Sequence, residues 1–393
     1  MWKSIASNTL TMFIVLLVLA AGLIAWGRQT FYEPGPLAQP ICLRIERGEN
    51  TRTIAATLEK QGAISSGTVY RIGANYSGKG GQEKFGSYLI PTSASMPQIL
   101  DIVTAGGQST CGREINYQIG VASSQMVLRD LNPATGRFEE IVKYDPQAGE
   151  MPEALAEAEA DDDLRLRVTL AEGVTSWQVV DSLKRADFLN GDVAEVPDEG
   201  TLAPDSYEVS KGDNRSELLL LMAARQQRIL NDMWAGREEG LPYETMAEAL
   251  VMASIVEKET GIADERPMVA SVFVNRLRQG MRLQTDPTVI YGVTKGEGTL
   301  GRGLRASELR ARTPYNTYVI DGLPPTPIAN PGRLSIEATL HPADSDYLFF
   351  VADGSGGHAF ARTLDEHNAN VAKWREIERA KGELPEGGVQ TRE

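Results

Sequence analysis

The sequence predicts an α+β protein behind an N-terminal membrane helix, and three observations carry that expectation. Apolar and polar residues alternate over short runs such as Ile41-Cys-Leu-Arg-Ile45, whereas Ile54, Ala55 and Leu58 recur at helical spacing. One pattern of strand, turn and helix occurs twice, 125 residues apart. No charged residue interrupts the chain from Ser4 to Gly27, so a hydrophobic content of 42%, ordinary overall, is concentrated at one end. A chain of 393 residues allows two or three domains at about 150 residues each, large enough to bury cores without disulfide support.

Residues 1–27 predict a cytoplasmic tip and a membrane anchor. A helix needs about 20 apolar residues to cross the hydrocarbon core, and Trp2 and Trp26 bracket the run as interfacial aromatics do. A cleaved signal peptide would have an apolar region of about 7–15 residues ending at an A-x-A-like site. Ala25-Trp26-Gly27 resembles such a site only faintly, so the expectation is an uncleaved anchor. Lys3 and the α-amine on one side against Arg28 on the other lean toward placing the bulk of the chain outside the cytoplasm. Residues 28–40, with Pro34, Pro36 and Pro40, read as a tether.

The first module occupies 41–107. A strand at Ile41–Ile45 is followed by a turn at Gly48, a helix capped by Asn50, a helix over about 66–77, a strand at Phe85–Ile90 and a helix at 95–104. Leu43, Ile45, Gly48, Asn50, Ile54, Ala55 and Leu58 correspond to Val168, Leu170, Gly173, Thr175, Val179, Val180 and Leu183 of a second unit at 168–210. The order of elements resembles the LysM-like fold of glycan-binding modules. Between the copies, 108–167 predicts a strand-rich insertion with a turn at Asn132–Gly136. Its stretch 153–163, with six acids and no base, reads as a solvated loop. Cys42 and Cys111 flank the first module: an oxidising compartment would join them, a reducing one would leave two buried thiols, and both readings stay open.

Residues 211–380 predict the catalytic part, followed by a tail at 381–393. The chain reads helical from Asn214 to Gly261, with a break near Gly236–Pro242. Apolar residues cover nearly every azimuth of Thr245–Thr260, which predicts a buried helix. A second helix runs on to Gly280, an αL stop, and then comes a polar loop, Gln284-Thr-Asp286, before a proline-directed turn.

Composition excludes several functions. The net charge of −14 and pI near 4.9 argue against nucleic acid as a partner, because phosphates would be repelled. Three histidines and two cysteines, far apart and without C-x-x-C or H-E-x-x-H spacing, predict no metal site and no cofactor. Gly296-Glu-Gly-Thr-Leu-Gly301 spells a dinucleotide fingerprint with no βαβ unit around it. Ser254 is followed by Glu257, not lysine, at the third position, so the S-x-x-K arrangement fails. His358 near Asp353 has no nucleophile elbow, which leaves a hydrogen-bonded structural histidine.

Two carboxylates break the apolar pattern at the end of the buried helix. Glu257 and Glu259 are 200° apart on an α-helix, so they point to opposite sides and cannot form a facing pair. A carboxyl held against apolar walls has a raised pKa and can serve as a general acid near neutrality. The bland alternative is that both acids solvate the helix end, although the helix dipole disfavours them there.

Several motifs, in order over about 200–375, resemble those of the endolytic murein transglycosylase (YceG-like) family. They are Ala253-Ser-Ile-Val-Glu-Lys-Glu-Thr260, Val269–Leu277, Met281-Arg-Leu-Gln-Thr-Asp-Pro-Thr-Val-Ile-Tyr-Gly292, Tyr315-Asn-Thr-Tyr318, Gly322-Leu-Pro-Pro325, Asn330-Pro-Gly332, Phe349–Gly354, Gly357-His358 and His367-Asn368. The insertion at 108–167 departs from compact members, and Ala203 stands where the family usually has an aromatic. The resemblance implies an inner-membrane enzyme that cuts the MurNAc-β-1,4-GlcNAc bond inside nascent peptidoglycan strands and leaves 1,6-anhydro ends. It implies Glu259 as the acid/base and association with the wall-synthesis machinery, penicillin-binding proteins included. Gln284, Asp286, Tyr315, Asn316 and Asn330 are expected on the cleft wall, and Glu257 in a structural or supporting place. Two rival readings remain: a water-using muramidase with Asp286 or Glu257 as second carboxylate, and a non-catalytic wall-binding scaffold.

Overall fold

The computed structural model describes residues 2–106, 109–147, 149–161 and 163–380. The expected tail at 381–393 lies outside the described residues. The protein is α+β, and it forms two compact units. One comprises the chain up to Asn116 with Met126–Tyr144 and Ala148–Leu166, and the other Tyr117–Gln125, Asp145–Gln147 and the chain from Arg167 onward.

In the first unit, helix α1 spans Trp2–Tyr32. Its stretch Leu10–Tyr32, which contains 18 consecutive residues of mean hydropathy 2.5, is long and apolar enough to cross a membrane. The tether expected at 28–40 is replaced by packed structure. Helix α1 continues through Tyr32, and Phe31 and Leu37 join the core. Prolines do not free this segment, because burying Phe31 is worth about 1.5–3 kcal/mol.

Strand β1 (Ile41–Ile45) pairs antiparallel with β2 (Gly86–Ile90), with α2 (Thr51–Lys60) and α3 (Gly67–Tyr76) between them and α4 (Met96–Ala105) after. Asn50 caps α2 by accepting from the amides of Arg52 and Thr53, and Ser66 caps α3. Gly73 on α3 lies against the Phe31 ring, where a Cβ would come within 2.1 Å of it. Cys42 and Cys111 are joined in a disulfide with Cα atoms 5.8 Å apart, across a separation of 69 residues.

The insertion supplies β3 (Arg113–Ile119), β4 (Ser124–Asn132) and β5 (Arg137–Tyr144), with the turn at Asn132–Gly136 closed by the Asn132 carboxamide. Its acidic stretch is not a solvated loop. Helix α5 (Glu153–Glu159) buries Leu155 and Ala158. Asp161 makes a bidentate pair with Arg44 at 3.0 and 2.9 Å, and Asp163 accepts from Ser87 and Ser109. Spacing of two apolar residues among acids is enough for one helical turn to find a core, and charge counting misses it.

Strand β6 (Arg165–Leu170), helix α6 (Ser176–Lys184) and β7 (Ser206–Val209) follow, and five strands form one sheet in the order β5-β4-β3-β6-β7. The apolar residues matched between the two copies, from Leu43 to Leu58 and from Val168 to Leu183, are all buried. Gly48 and Gly173 both take φ near +80°, at 83° and 78°, and Asn50 and Thr175 both cap the next helix. The copies differ afterwards: two helices precede β2, whereas one precedes β7.

The second unit continues with α7 (Arg215–Ala235), α8 (Met246–Glu259), a 3₁₀ turn (Ala263–Glu265), α9 (Arg266–Arg278), α10 (Asp286–Thr294), α11 (Ala306–Arg310) and α12 (Arg333–Leu340). The hairpin β8 (Phe349–Ala352) and β9 (His358–Ala361) leads into α13 (Leu364–Ala380). Helix α8 is the hub: Ala249 through Val256 are all buried, and α9 and α12 pack on it. Thr245 and Glu248 close a capping box at its start. Gly280 takes φ +67° just after α9, as an αL stop requires.

Candidate active site

Helix α8 delivers Glu259 as its last residue. The residue keeps some exposed surface, while its carboxyl end is enclosed by protein. Burial pushes its pKa above the ordinary glutamate range. The Thr285 hydroxyl, which donates to Oε1, opposes that shift. Asp286 adds to it, whereas His358 and Arg276 draw it down.

A set of threonines fixes the donor. Thr285, Thr288 and Thr317 are all buried. The Thr285 amide donates to Thr317 Oγ1 at 3.0 Å, the Thr288 hydroxyl donates to the Thr285 carbonyl at 2.8 Å, and Thr288 and Thr317 share a hydrogen bond of 2.9 Å. Gln284, between buried Leu283 and Thr285, takes φ +50°. A non-glycine residue in the left-handed region costs about 1–2 kcal/mol, which the buried neighbours on both sides offset. The result leaves the Gln284 side chain exposed beside the residue that touches Glu259.

Asp286 opens α10, where its charge suits the helix dipole, and it accepts from the Tyr318 hydroxyl at 2.8 Å. The expected polar loop therefore ends one residue earlier, at the Thr285 N-cap. Buried Arg276 donates from Nε to the Leu348 carbonyl at 2.6 Å and from Nη1 to Leu283 at 2.5 Å. Its guanidinium lies 5.4 Å from the Phe349 ring centre, and burial lowers its pKa. His358 bonds through Nδ1 to Glu265 Oε2 at 2.8 Å and donates its backbone amide to Oε1 at 2.8 Å, as a structural histidine does. Asp353 is occupied in its own turn with Ser355.

Glu257 is spent elsewhere. Its Oε2 accepts from the Gly332 amide at 3.0 Å and the Ser335 hydroxyl at 2.7 Å, and Oε1 lies 3.7 Å from Arg266. The carboxylate thus clamps the start of α12 to α8. Lys258 between the two acids donates to the Gly173 carbonyl at 3.2 Å, and burial depresses its pKa.

Two expected wall residues turn out to be structural. Asn316 is fully buried: its amide donates to the carbonyls of Glu308, Leu309 and Ala311, and its Oδ1 accepts from the Tyr318 amide. Asn330 is likewise buried, donating to Val174 at 3.0 Å and accepting from the Leu202 amide at 2.9 Å. Neither amide is left for a sugar, because chain segments without regular partners use them to satisfy buried backbone groups. Gln284, Asp286 and Tyr315 keep exposed surface. Tyr315 bonds Thr326 at 2.7 Å and packs on Tyr291 with ring centres 5.0 Å apart.

Sequence reasoning passed over Thr285, Tyr318, Arg276 and Glu265, although Thr285 lies between two residues it chose. It also passed over Glu199, whose pKa burial raises, and which accepts from the Ser176 amide at 2.8 Å and the Tyr291 hydroxyl at 3.1 Å. The excluded motifs have structural uses. Ser254 is buried and bonded to Val251 and Ile328, and Gly296, Gly298 and Gly301 all take positive φ.

Glu259, an enclosed, protonatable carboxyl with a hydroxyl donor fixed by a buried threonine set, makes this a candidate site for acid/base chemistry. Residues 43–373 match the YceG-like family model, and the chain belongs to that family. It is 29% identical over 335 residues to the endolytic murein transglycosylase of Bacillus subtilis strain 168, covering 84% of each chain. It is 27% identical over 344 residues to the endolytic murein transglycosylase of Streptococcus pneumoniae serotype 2 strain D39, covering 85% of this chain and 58% of that one. A solved yceG-like protein from Listeria monocytogenes is 25% identical, with TM-score 0.45, covering 84% of this chain and 98% of that one.

Proposed function

We propose that this protein is a membrane-anchored endolytic lytic transglycosylase acting on peptidoglycan, with Glu259 as its acid/base. The observation that carries the reading is the enclosure of Glu259, which favours the protonated form that a general acid needs. The names of the Bacillus and Streptococcus relatives support the substrate class.

Glu259 gives its proton to the glycosidic oxygen between MurNAc and GlcNAc as the C1–O bond breaks. The resulting carboxylate then takes the proton of the muramyl C6 hydroxyl, whose oxygen bonds to C1. Glu259 ends protonated again, no water is consumed, and the product carries a 1,6-anhydro end. A hydrolase would need a second carboxyl group to activate water or act as nucleophile. Here Glu257 is tied to Arg266, Gly332 and Ser335, which removes it as that second carboxyl and supports the single-carboxylate route; Asp286, which accepts from Tyr318, is assigned to sugar binding. Gln284, Asp286 and Tyr315 are the proposed sugar contacts.

The α1 helix is the proposed single-pass anchor, with the rest of the chain on the extracytoplasmic side of the bacterial inner membrane. The disulfide supports an oxidising compartment. The two strand–helix units are proposed as LysM-like glycan-binding modules, and cutting nascent strands would bring the protein close to penicillin-binding proteins and limit strand elongation.

Digestion of purified glycan strands followed by mass spectrometry tests the activity. Wild type should yield ends lighter by one water than reducing ends, and Glu259→Gln should yield none. Reducing ends would turn the reading to a muramidase, and no cleavage by wild type would turn it to a scaffold.

A further inference from the structure

We propose that the outer edge of α3 is a second membrane contact, with Ile72 and Tyr76 immersed in the interfacial layer of the bilayer that α1 crosses. The proposal rests on the reading of α1 as an anchor. Helix α1 runs without a break from its apolar stretch into the core of the first unit, where Thr30 and Phe31 are buried. Phe31 meets Gly73 of α3 so closely that no side chain fits between them. The first unit is therefore held at the membrane by a rigid helix and not by a flexible leader.

Depth follows from helix geometry. Trp26, 57% exposed, stands beside the end of the uncharged run, which stops at Gly27 before Arg28. Phe31 lies five residues further, a rise of about 7.5 Å. The polar layer on each side of the hydrocarbon core is about 5–7 Å thick, so the contact of Phe31 with Gly73 falls at its outer margin. The exposed residues of α3 next to that contact are therefore the ones nearest the interfacial layer in sequence and along the helix.

Those side chains are apolar or amphipathic. Tyr76 follows Gly73 by one helical turn, and Ile72 shares its face at i, i+4 spacing. Tyr76 is 92% exposed and Ile72 65%, while Tyr32 at the end of α1 is 61% exposed and stacks edge-on to Phe31. Tyrosine suits an interface because its ring is apolar and its hydroxyl stays hydrated. Exposed Arg28 on α1 and part-exposed Arg71, the residue before Ile72, supply cations suited to anionic headgroups, and exposed Glu33 follows Tyr32.

The test uses the full chain in vesicles of phosphatidylethanolamine and phosphatidylglycerol containing a doxyl-labelled lipid. An environment-sensitive fluorophore is attached in turn through Tyr76→Cys, through Trp26→Cys on α1 and through Ala134→Cys on the exposed turn between β4 and β5. The expected result is quenching at position 76 comparable to that at 26 and severalfold stronger than at 134. Quenching at 26 with position 76 matching 134 overturns the surface and leaves the anchor intact, and it would point to a protein occupant of the patch. No quenching at 26 overturns the anchor reading and the surface with it.

Discussion

The Thr285 hydroxyl donates to the Glu259 carboxyl, joining the N-cap of α10 to the last residue of α8. That contact makes Thr285 the immediate neighbour of the proposed acid. It also works against the larger effect of burial on the Glu259 pKa.

Replacing Thr285 should therefore move the proton equilibrium as well as the rate. Thr285→Ala removes an interaction that lowers the Glu259 pKa, so the alkaline limb of the kcat profile should shift to higher pH. The loss of one hydrogen bond to a charged group, about 1.5–3 kcal/mol, predicts a kcat about 10- to 100-fold lower at the optimum. Thr285→Ser should restore both the rate and the profile. An unshifted limb in the alanine variant would count against contact with the titrating acid.

Stability should respond to the same carboxyl in a defined direction. Its folded pKa lies above the ordinary value of 4.5, so its contribution is fully present below that value and lost as pH rises through the folded pKa. Glu259→Gln should accordingly raise Tm relative to wild type at neutral pH, with the difference closing as pH falls toward 4.5. Calorimetry at several pH values checks this, and a gain that grows on acidification would reverse the sign of the argument.

Asn330 and Gln284 should separate stability from binding. Asn330→Ala takes the side-chain acceptor from the Leu202 amide, while the Val174 carbonyl keeps the residue-330 backbone amide, at a cost of about 1–3 kcal/mol for a buried unsatisfied group. KM of the folded fraction should hold. Gln284→Gly relieves a left-handed residue at φ +50° and should leave stability equal or higher by about 1 kcal/mol or less, after the entropy of glycine is counted. If Gln284 contacts sugar, KM should rise. Denaturant melts paired with initial rates distinguish the two.

Reduction should weaken the first unit selectively. Closing a loop of 69 residues is worth on the order of 4 kcal/mol in the chain-entropy model. The double variant Cys42→Ser and Cys111→Ser should lower the denaturation midpoint by a corresponding amount. Equal midpoints with and without reductant would show that the bond does not stabilise the fold.

Gly73→Ala should invert the usual helix rule. Alanine normally stabilises a helix interior by about 1 kcal/mol over glycine, yet here the new Cβ meets the Phe31 ring. Overpacking costs of about 1–3 kcal/mol are expected, visible as a lower Tm. A neutral or raised Tm would mean that α1 yields at this contact.

Much of the helical framework was legible in residue spacing. The capped starts at Asn50, Thr175, Asn214 and Thr245 and the turns at Gly48, Gly173 and Gly280 are local chemistry. So is the opposition of Glu257 and Glu259, which follows from 3.6 residues per turn. The segments misread at 28–40 and 153–163 failed for one reason. Proline content and charge describe a segment in water, whereas Phe31, Leu37, Leu155 and Ala158 answer to a core formed by distant residues.

What the sequence by itself determined was the anchor-like apolar run, the repeated strand–helix unit, the buried helix α8 and the two carboxylates at its end pointing apart. Only the tertiary structure decided what each carboxylate meets. Glu257 meets Arg266, Gly332 and Ser335, whereas Glu259 is enclosed with Thr285. It also took Asn316 and Asn330 out of the cleft wall, because the Asn316 amide is spent on carbonyls of its own loop, Ala311 among them, and the Asn330 amide on backbone groups of Val174 and Leu202, far away in sequence. Helical phase is a property of neighbours along the chain. Desolvation and hydrogen-bond partners depend on which elements pack together, and that is set by long-range contacts that spacing does not encode.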